Sequence, residues 1–290
     1  MIEDKGVPTV PAVETTPSLA DLQAKAKTIR KEIITSTTAA GSGHPTSSLS
    51  GVEIAVAVYF GGMLRYDPKN PHWPQRDRFI LSKGHAAPLL YAVLAEAGYF
   101  SPELLPTLRK LDSPLEGHPN RRRLPGVEAS TGSLGQGLSI GLGHALATRL
   151  DGYGSRVYVL MGDGELDEGQ VWEAAMAAKK FQLDHLVAIV DQNGFQQTGP
   201  TAEVLDLRPL TQRWEAFGWF AQEINGHDLS EALAAFQKAS QTKGRPSVIV
   251  ARTVKGYPIQ HLLTSDPNHH GKPLTKEEQD KALAFIEAQA

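Results

Sequence analysis

Two rhythms of apolar and polar positions alternate along the chain. Tyr158-Val159-Leu160-Met161, Leu186-Val187-Ala188-Ile189-Val190 and Ser247-Val248-Ile249-Val250-Ala251 are apolar on nearly every position, the pattern of strands buried on both faces of a parallel sheet. Phe79-Ile80-Leu81-Ser82 and the stretch Trp219 to Ile224 read as two further strands. Between them lie segments whose apolar residues recur at helical spacing: Leu19 to Ala40, Gly169 to Lys180, Pro209 to Phe217 and Asp228 to Thr242. This alternation predicts an α/β fold, a parallel sheet flanked by helices.

Local signals sharpen several ends. Ser18 with Asp21, Ser50 with Glu53 and Thr275 with Glu278 have the spacing of capping boxes, the second opening a helix through Ile54, Val58 and Tyr59. Ser101-Pro102-Glu103 starts another helix, with a serine cap and a proline in its first turn. Asp228 and Glu231 cap a further one. A glycine-rich loop feeds a small-residue helix ending at Leu150, where Gly141, Gly143, Ala145 and Ala147 permit close packing. The stretch from Tyr158 to Phe195 reads as a βαβ unit. In an open parallel sheet both its strands finish on one edge, so Asp163 and the loop Asp191 to Phe195 face the same crevice.

Composition narrows the function classes. With 290 residues the chain can bury a sizeable core, and its formal charge of −3 argues against a dominant nucleic-acid or membrane surface. There is no cysteine, which excludes disulfides and thiolate metal sites and fits a reducing compartment, with cytoplasm the default. No apolar stretch is long enough to span a bilayer. Residues 1–17 are acidic and proline-rich and read as a disordered arm; 18–290 read as one domain, with no internal repeat or dividing linker.

The candidate chemistry gathers at the crevice. A carboxylate, a carboxamide oxygen and a loop carbonyl form a hard, oxygen-only site suited to Mg²⁺ or Ca²⁺ that keeps positions for phosphate oxygens. Gly162 and Gly164, lacking Cβ atoms, let the backbone approach a phosphate and leave N–H groups to donate. Of the 10 histidines, His44, His85, His118, His144 and His227 each follow a glycine. His44, His85 and His118 stand in loops beside strand ends or helix starts, whereas His144 inside the small-residue helix and His227 in a turn read as structural.

Gly162-Asp163-Gly164-Glu165, Glu168-Gly169, Trp172-Glu173-Ala174 and the spaced Asn193 together resemble the thiamine diphosphate motif of the transketolase group. Gly43-His44-Pro45, Ser82-Lys83-Gly84-His85-Ala86, Glu116-Gly117-His118-Pro119, Thr131 to Gly137 and His270-Gly271 with Pro273 resemble the same family's signatures in its order, from about Leu19 to Leu274. The resemblance implies a thiamine diphosphate-binding fold with specific roles. Asp163, the Asn193 side chain and the Phe195 carbonyl would hold the metal on the diphosphate. Gly164, His85 and His270 would touch the diphosphate, and the backbone of Gly132, Ser133 and Leu134 the aminopyrimidine. His44, His118 and His270 would surround the thiazolium C2 as the catalytic set.

The implied reaction moves a two-carbon ketol unit from a ketose phosphate to an aldose phosphate in the pentose phosphate pathway. A full-length transketolase resembles this chain in its first half only. The resemblance therefore implies the N-terminal subunit of a split enzyme, with a partner supplying the pyrimidine-binding domain and its activating glutamate in a two-fold heterotetramer (α2β2). Three alternatives stay open: a split transketolase for an unusual ketose; a deoxyxylulose phosphate synthase-like or pyruvate dehydrogenase E1-like component; and a nucleotide-binding scaffold, against which Asn193 speaks. After Gly43-His44-Pro45 the family commonly has glycine where Thr46-Ser47-Ser48 stand here. Arg121-Arg122-Arg123 reads either as a phosphate-facing patch or as a solvated surface run.

Overall fold

The computed structural model describes residues 17–263 and 268–289. Apart from Pro17, the arm read over 1–17 lies outside the described residues. Five parallel strands, β1 (Arg78–Leu81), β2 (Val157–Gly162), β3 (Leu186–Gln192), β4 (Phe220–Asn225) and β5 (Ser247–Arg252), form a sheet in the order β1-β2-β3-β5-β4. The described helices are α1 (Leu19–Ala40), α2 (Pro45–Leu49), α3 (Val52–Phe60), α4 (Ala87–Glu96), α5 (Gln136–Leu150), α6 (Gly169–Lys180), α7 (Thr201–Val204), α8 (Leu210–Ala216), α9 (Leu229–Gln241) and α10 (Lys276–Ala288). Among the described residues no helix is long and apolar enough to cross a membrane.

Alternate residues of the central strands point to opposite faces, so the sheet divides the core into two layers. Tyr158, Leu160, Val187, Ile189 and Ile249 pack with α1, α3, α4 and α9. Val157, Val159, Met161, Ala188 and Val250 pack with α5, α6 and α8. That double coverage is why β2, β3 and β5 carry few polar residues. On the second face α5 lies close to the sheet, since a Cβ on Gly141 would come 2.5 Å from Val159 Cγ2.

Both terminal capping boxes form. Ser18 accepts from the Asp21 N–H and Thr275 from the Glu278 N–H, and the acidic residue returns to the cap's own N–H in each case. The expected box at Ser50 and Glu53 does not form: α3 starts at Val52 with Gly51 as its cap. Tertiary partners take both side chains instead. The Ser50 hydroxyl donates to Asp191 Oδ2 at 2.6 Å, while Glu53 pairs with Arg30 and with His227 Nδ1 at 3.2 Å. The segment opened by Ser101 is a 3-10 turn, Pro102–Thr107, with Pro106 inside it.

Candidate active site

Every parallel strand ends at the same sheet edge, and chemistry collects where four of them stop. Beyond β1 come Ser82, Lys83 and a 3-10 turn, Gly84–Ala86, holding His85. Asp163 follows β2, Asn193 follows β3, and Lys255 stands three residues past β5. His44 precedes α2, and His118, the glycine loop before α5 and His270 close the remaining sides. All of these but Ser82 and Lys255, which stand behind the wall, line a cavity of about 630 Å³. A larger cavity, about 760 Å³ between α1 and the start of α9, contains none of the motif residues.

At the β2–β3 end Asp163 is 6% exposed. Its carboxylate accepts from the Gly164 N–H at 3.0 Å and the Gly194 N–H at 2.8 Å. Burial, then the neighbouring Asp191, pushes its carboxyl up to about 7. Burial works against ionised Asp191 too, yet the Lys83 ammonium and the Lys83, Ser50 and Thr253 hydrogen bonds hold that carboxyl below its usual range. A buried carboxylate so short of positive charge, beside the Asn193 amide, suits a hard divalent cation. A Cβ on Gly162 or Gly194 would meet nothing within 4 Å, so there is room in front of it. Among the described residues no three His, Cys, Asp or Glu side chains could hold a metal by themselves, so ligand oxygens must complete the shell. The residues therefore fit a cation that arrives with a phosphate. One expectation fails here: Gly164 N–H donates to Asp163, and Gly162 N–H donates to Glu165 Oε2 at 3.1 Å, so neither is left over for a phosphate.

At the other end three imidazoles meet. Ring centroids lie 5.2 Å apart for His44 and His85, 5.0 Å for His44 and His270, and 5.4 Å for His85 and His270. Burial first, then nearby cations, lowers His44 and His270 to about 4, with Arg109 the leading charge on His44 and Lys255 on His270. Burial and the Lys83 charge likewise hold His85 well below its ordinary value. Lys255 Nζ donates to His270 Nδ1 at 2.9 Å, which puts the ring proton on Nε2. His44 Nδ1 is buried without a hydrogen-bond partner, as a group awaiting a ligand would be. His118 is exposed at the cavity's rim, and the Tyr91 hydroxyl pins its loop by reaching the Glu116 carbonyl at 2.9 Å and the His118 carbonyl at 3.1 Å. These imidazoles are thus neutral donors and acceptors at pH 7. In a ¹³C titration of ring carbons, His44 and His270 are expected to hold neutral shifts down to about pH 5. A midpoint near 6.5 for both would contradict this electrostatic picture.

Comparison with known proteins places this geometry. The family model described as transketolase, thiamine diphosphate binding domain, matches residues 22–285. The chain belongs to the transketolase family. It is 45% identical over 267 residues to the 6-deoxy-6-sulfo-D-fructose transketolase subunit SqwG of Clostridium sp. (strain MSTE9), covering 92% of this chain and 96% of that one. It is 38% identical to an apulose-4-phosphate transketolase subunit of Phocaeicola vulgatus, over 91% of this chain and 93% of the other. The crystal structure of transketolase from Campylobacter jejuni superposes with a TM-score of 0.86 at 32% identity, over 93% of this chain but 43% of that one. The chain thus spans nearly the whole of the subunit relatives and less than half of the long transketolase.

Within the family's thiamine diphosphate-binding domain the cavity gathers His44, His85, His118 and His270 with Gly132, Leu134, Asp163, Gly164, Asn193 and Phe195. Ser133 is exposed and does not line it. Reasoning from sequence assigned no role to Lys83 or Lys255, and quoted Glu165 only as part of a motif. Lys83 was signalled within its own motif, between Ser82 and the Gly84-His85 pair. Lys255, just past a buried strand on the same edge, was signalled only by topology. Arg121, Arg122 and Arg123 are exposed and outside the cavity lining.

Proposed function

We propose that this chain is the diphosphate-binding subunit of a two-chain transketolase that moves a two-carbon ketol unit from a ketose phosphate to an aldose phosphate with thiamine diphosphate and Mg²⁺ or Ca²⁺. One observation carries the reading: an oxygen-donor set at Asp163 and Asn193 shares a single cavity with a cluster of neutral imidazoles. Asp163, the Asn193 amide and the Phe195 carbonyl hold the cation, His85 and His270 meet the diphosphate, and Gly164, its N–H held by Asp163, borders the diphosphate without donating to it. The backbone of Gly132 and Leu134, with exposed Ser133 beside them, faces the aminopyrimidine. Bound thiamine diphosphate supplies the nucleophilic thiazolium carbon and takes up the electrons freed by C–C cleavage. His44 and His118 bind donor hydroxyls and move protons at the substrate oxygens, a task for which neutral rings can donate or accept. His270, its Nε2 carrying the proton, donates.

The partner would be a chain carrying the pyrimidine-binding domain, joined in a two-fold heterotetramer with two sites. Exposed Leu150 at the end of α5 and Met176 on α6, 86% and 55% accessible, with the acid Glu168, are candidates for that contact. The same site could instead take an unusual anionic ketose: the relatives matched along almost their whole length are named for a sulfonated deoxyfructose and for apulose 4-phosphate. Both readings keep the residue roles and differ in donor. They are separated by offering xylulose 5-phosphate, 6-deoxy-6-sulfofructose and apulose 4-phosphate to the reconstituted enzyme and following each product aldose.

His118→Ala and His44→Ala are expected to leave thiamine diphosphate affinity within a few-fold while lowering turnover roughly 10²-fold or more, the scale of an acid–base or oxyanion partner. Unchanged ketol transfer in both variants would return these residues to a structural role.

A further inference from the structure

Glu165 has no part in the roles above, yet it is 2% exposed and stands one residue beyond Gly164. Its Oε1 accepts from the Ser82 hydroxyl and from the Gly135 N–H at 2.8 Å, and its Oε2 accepts from the Gly162 N–H at 3.1 Å. Ser82 Oγ in turn accepts from the Gly137 N–H at 3.1 Å. These donors come from three separate stretches: the end of β1, the glycine loop before α5 and the end of β2. Each stretch carries groups given to the cofactor. His85 follows Ser82 by one turn, Gly132 to Leu134 run directly into Gly135, and Asp163 follows Gly162.

The glycines permit this convergence. A Cβ on Gly137 would come 2.3 Å from Ser82 Oγ, and one on Gly135, whose φ is +80°, would come 2.7 Å from Glu168 Cβ. The Gly-Gln-Gly end of the loop motif is thus shaped by access to a buried carboxylate and its serine. Burial raises the Glu165 carboxyl, and the Ser82, Gly135 and Gly162 hydrogen bonds oppose that rise. An amide in its place would turn an N–H toward one of three donors that need an acceptor.

We propose that Glu165 is a positioning residue that fixes the span between the diphosphate-facing turn at Asp163 and Gly164 and the aminopyrimidine-facing loop at Gly132 to Leu134, an inference resting on the thiamine diphosphate reading. One ligand is then met at both ends without the loop having to be drawn in during binding. Inorganic diphosphate touches one end only and is the control.

The test is calorimetric titration of the full chain with thiamine diphosphate and, separately, with inorganic diphosphate, both with Mg²⁺. Glu165→Gln is expected to weaken thiamine diphosphate about tenfold or more, the scale of hydrogen bonds to a charged group, while diphosphate affinity stays within a few-fold. Ser82→Ala, which keeps the carboxylate but cuts the tie to Gly137, should show the same imbalance at smaller size, and it decides the matter alone if the glutamine variant does not fold. Equal losses for both ligands, or no loss for thiamine diphosphate, would overturn the positioning role. Failure of the unaltered chain to bind thiamine diphosphate at all would instead overturn the cofactor reading.

Discussion

Asp163→Ala is expected to abolish thiamine diphosphate binding in the presence of Mg²⁺, and withholding divalent cations is expected to do the same to the unaltered chain. The reason is the balance of charge. Asp163 is buried, Asp191 beneath it is neutralised by Lys83, and the cavity turns a carboxylate toward the place where the diphosphate would lie. Two unit charges 4 Å apart at an effective dielectric of 20 interact by about 4 kcal/mol, an upper bound here because the Asp163 carboxyl, raised to about 7, can take up a proton where no cation is present. A cation between them turns that repulsion into attraction; alanine removes the anionic ligand that would hold the cation. Asn193→Ala removes a neutral oxygen and should act in the same direction with a smaller loss, because an amide dipole contributes less than a carboxylate. Tight, metal-independent binding by calorimetry would refute this placement of the site.

Much of the framework was legible because it rests on local rules. The buried strands announced themselves by apolar runs, and the capping boxes at Ser18 and Thr275 formed where their spacing put them, since each needs only residues within one turn. Ser50 and Glu53 have the same spacing and fail, because Asp191 draws one side chain and Arg30 and His227 the other; no local rule sees partners that far along the chain. The end of β3 was hidden for a related reason. Its apolar run stops at Val190, but the strand continues through Asp191 to Gln192, the aspartate tolerated there because Lys83, Ser50 and Thr253 satisfy it.

The site itself was legible residue by residue only through its motifs. Spacing put Asp163 and Asn193 on one edge, and motif order picked His44, His85, His118 and His270 out of ten histidines, whereas Lys83 and Lys255 were overlooked because lysine is ordinarily a surface residue. Both are buried here, 1% and 3% exposed, which becomes intelligible only with Asp191, Asn268 and His270 in view. Gly162 and Gly164 were rightly placed at the turn, but their N–H groups serve its own carboxylates.

The largest effect expected concerns what these 290 residues do alone. Activating thiamine diphosphate needs a carboxylic acid against its aminopyrimidine, and the acids of this cavity are committed elsewhere. Asp163 accepts two backbone N–H groups, and Glu165 is saturated by Ser82, Gly135 and Gly162. Asp167 and Glu168 belong to the turn that follows Gly164, and Glu168, beside Gly135, is exposed rather than held in a buried acid's place. The loop assigned to the aminopyrimidine, Gly132 to Leu134, contributes backbone and no acid. Arg109, Lys83 and Lys255 place positive charge around the histidines, but Lys83 is spent on Asp191 and Lys255 reaches Asn268 and His270.

The decisive measurement is a ketol-transfer assay run on this chain, on a partner carrying the pyrimidine-binding domain, and on an equimolar mixture, each with thiamine diphosphate, Mg²⁺, a ketose donor and an aldose acceptor. Turnover is expected from the mixture alone, saturating at a one-to-one ratio and lost with Asp163→Ala. Full activity from this chain by itself would mean that the activating acid lies within its own residues and that the two-chain reading is wrong.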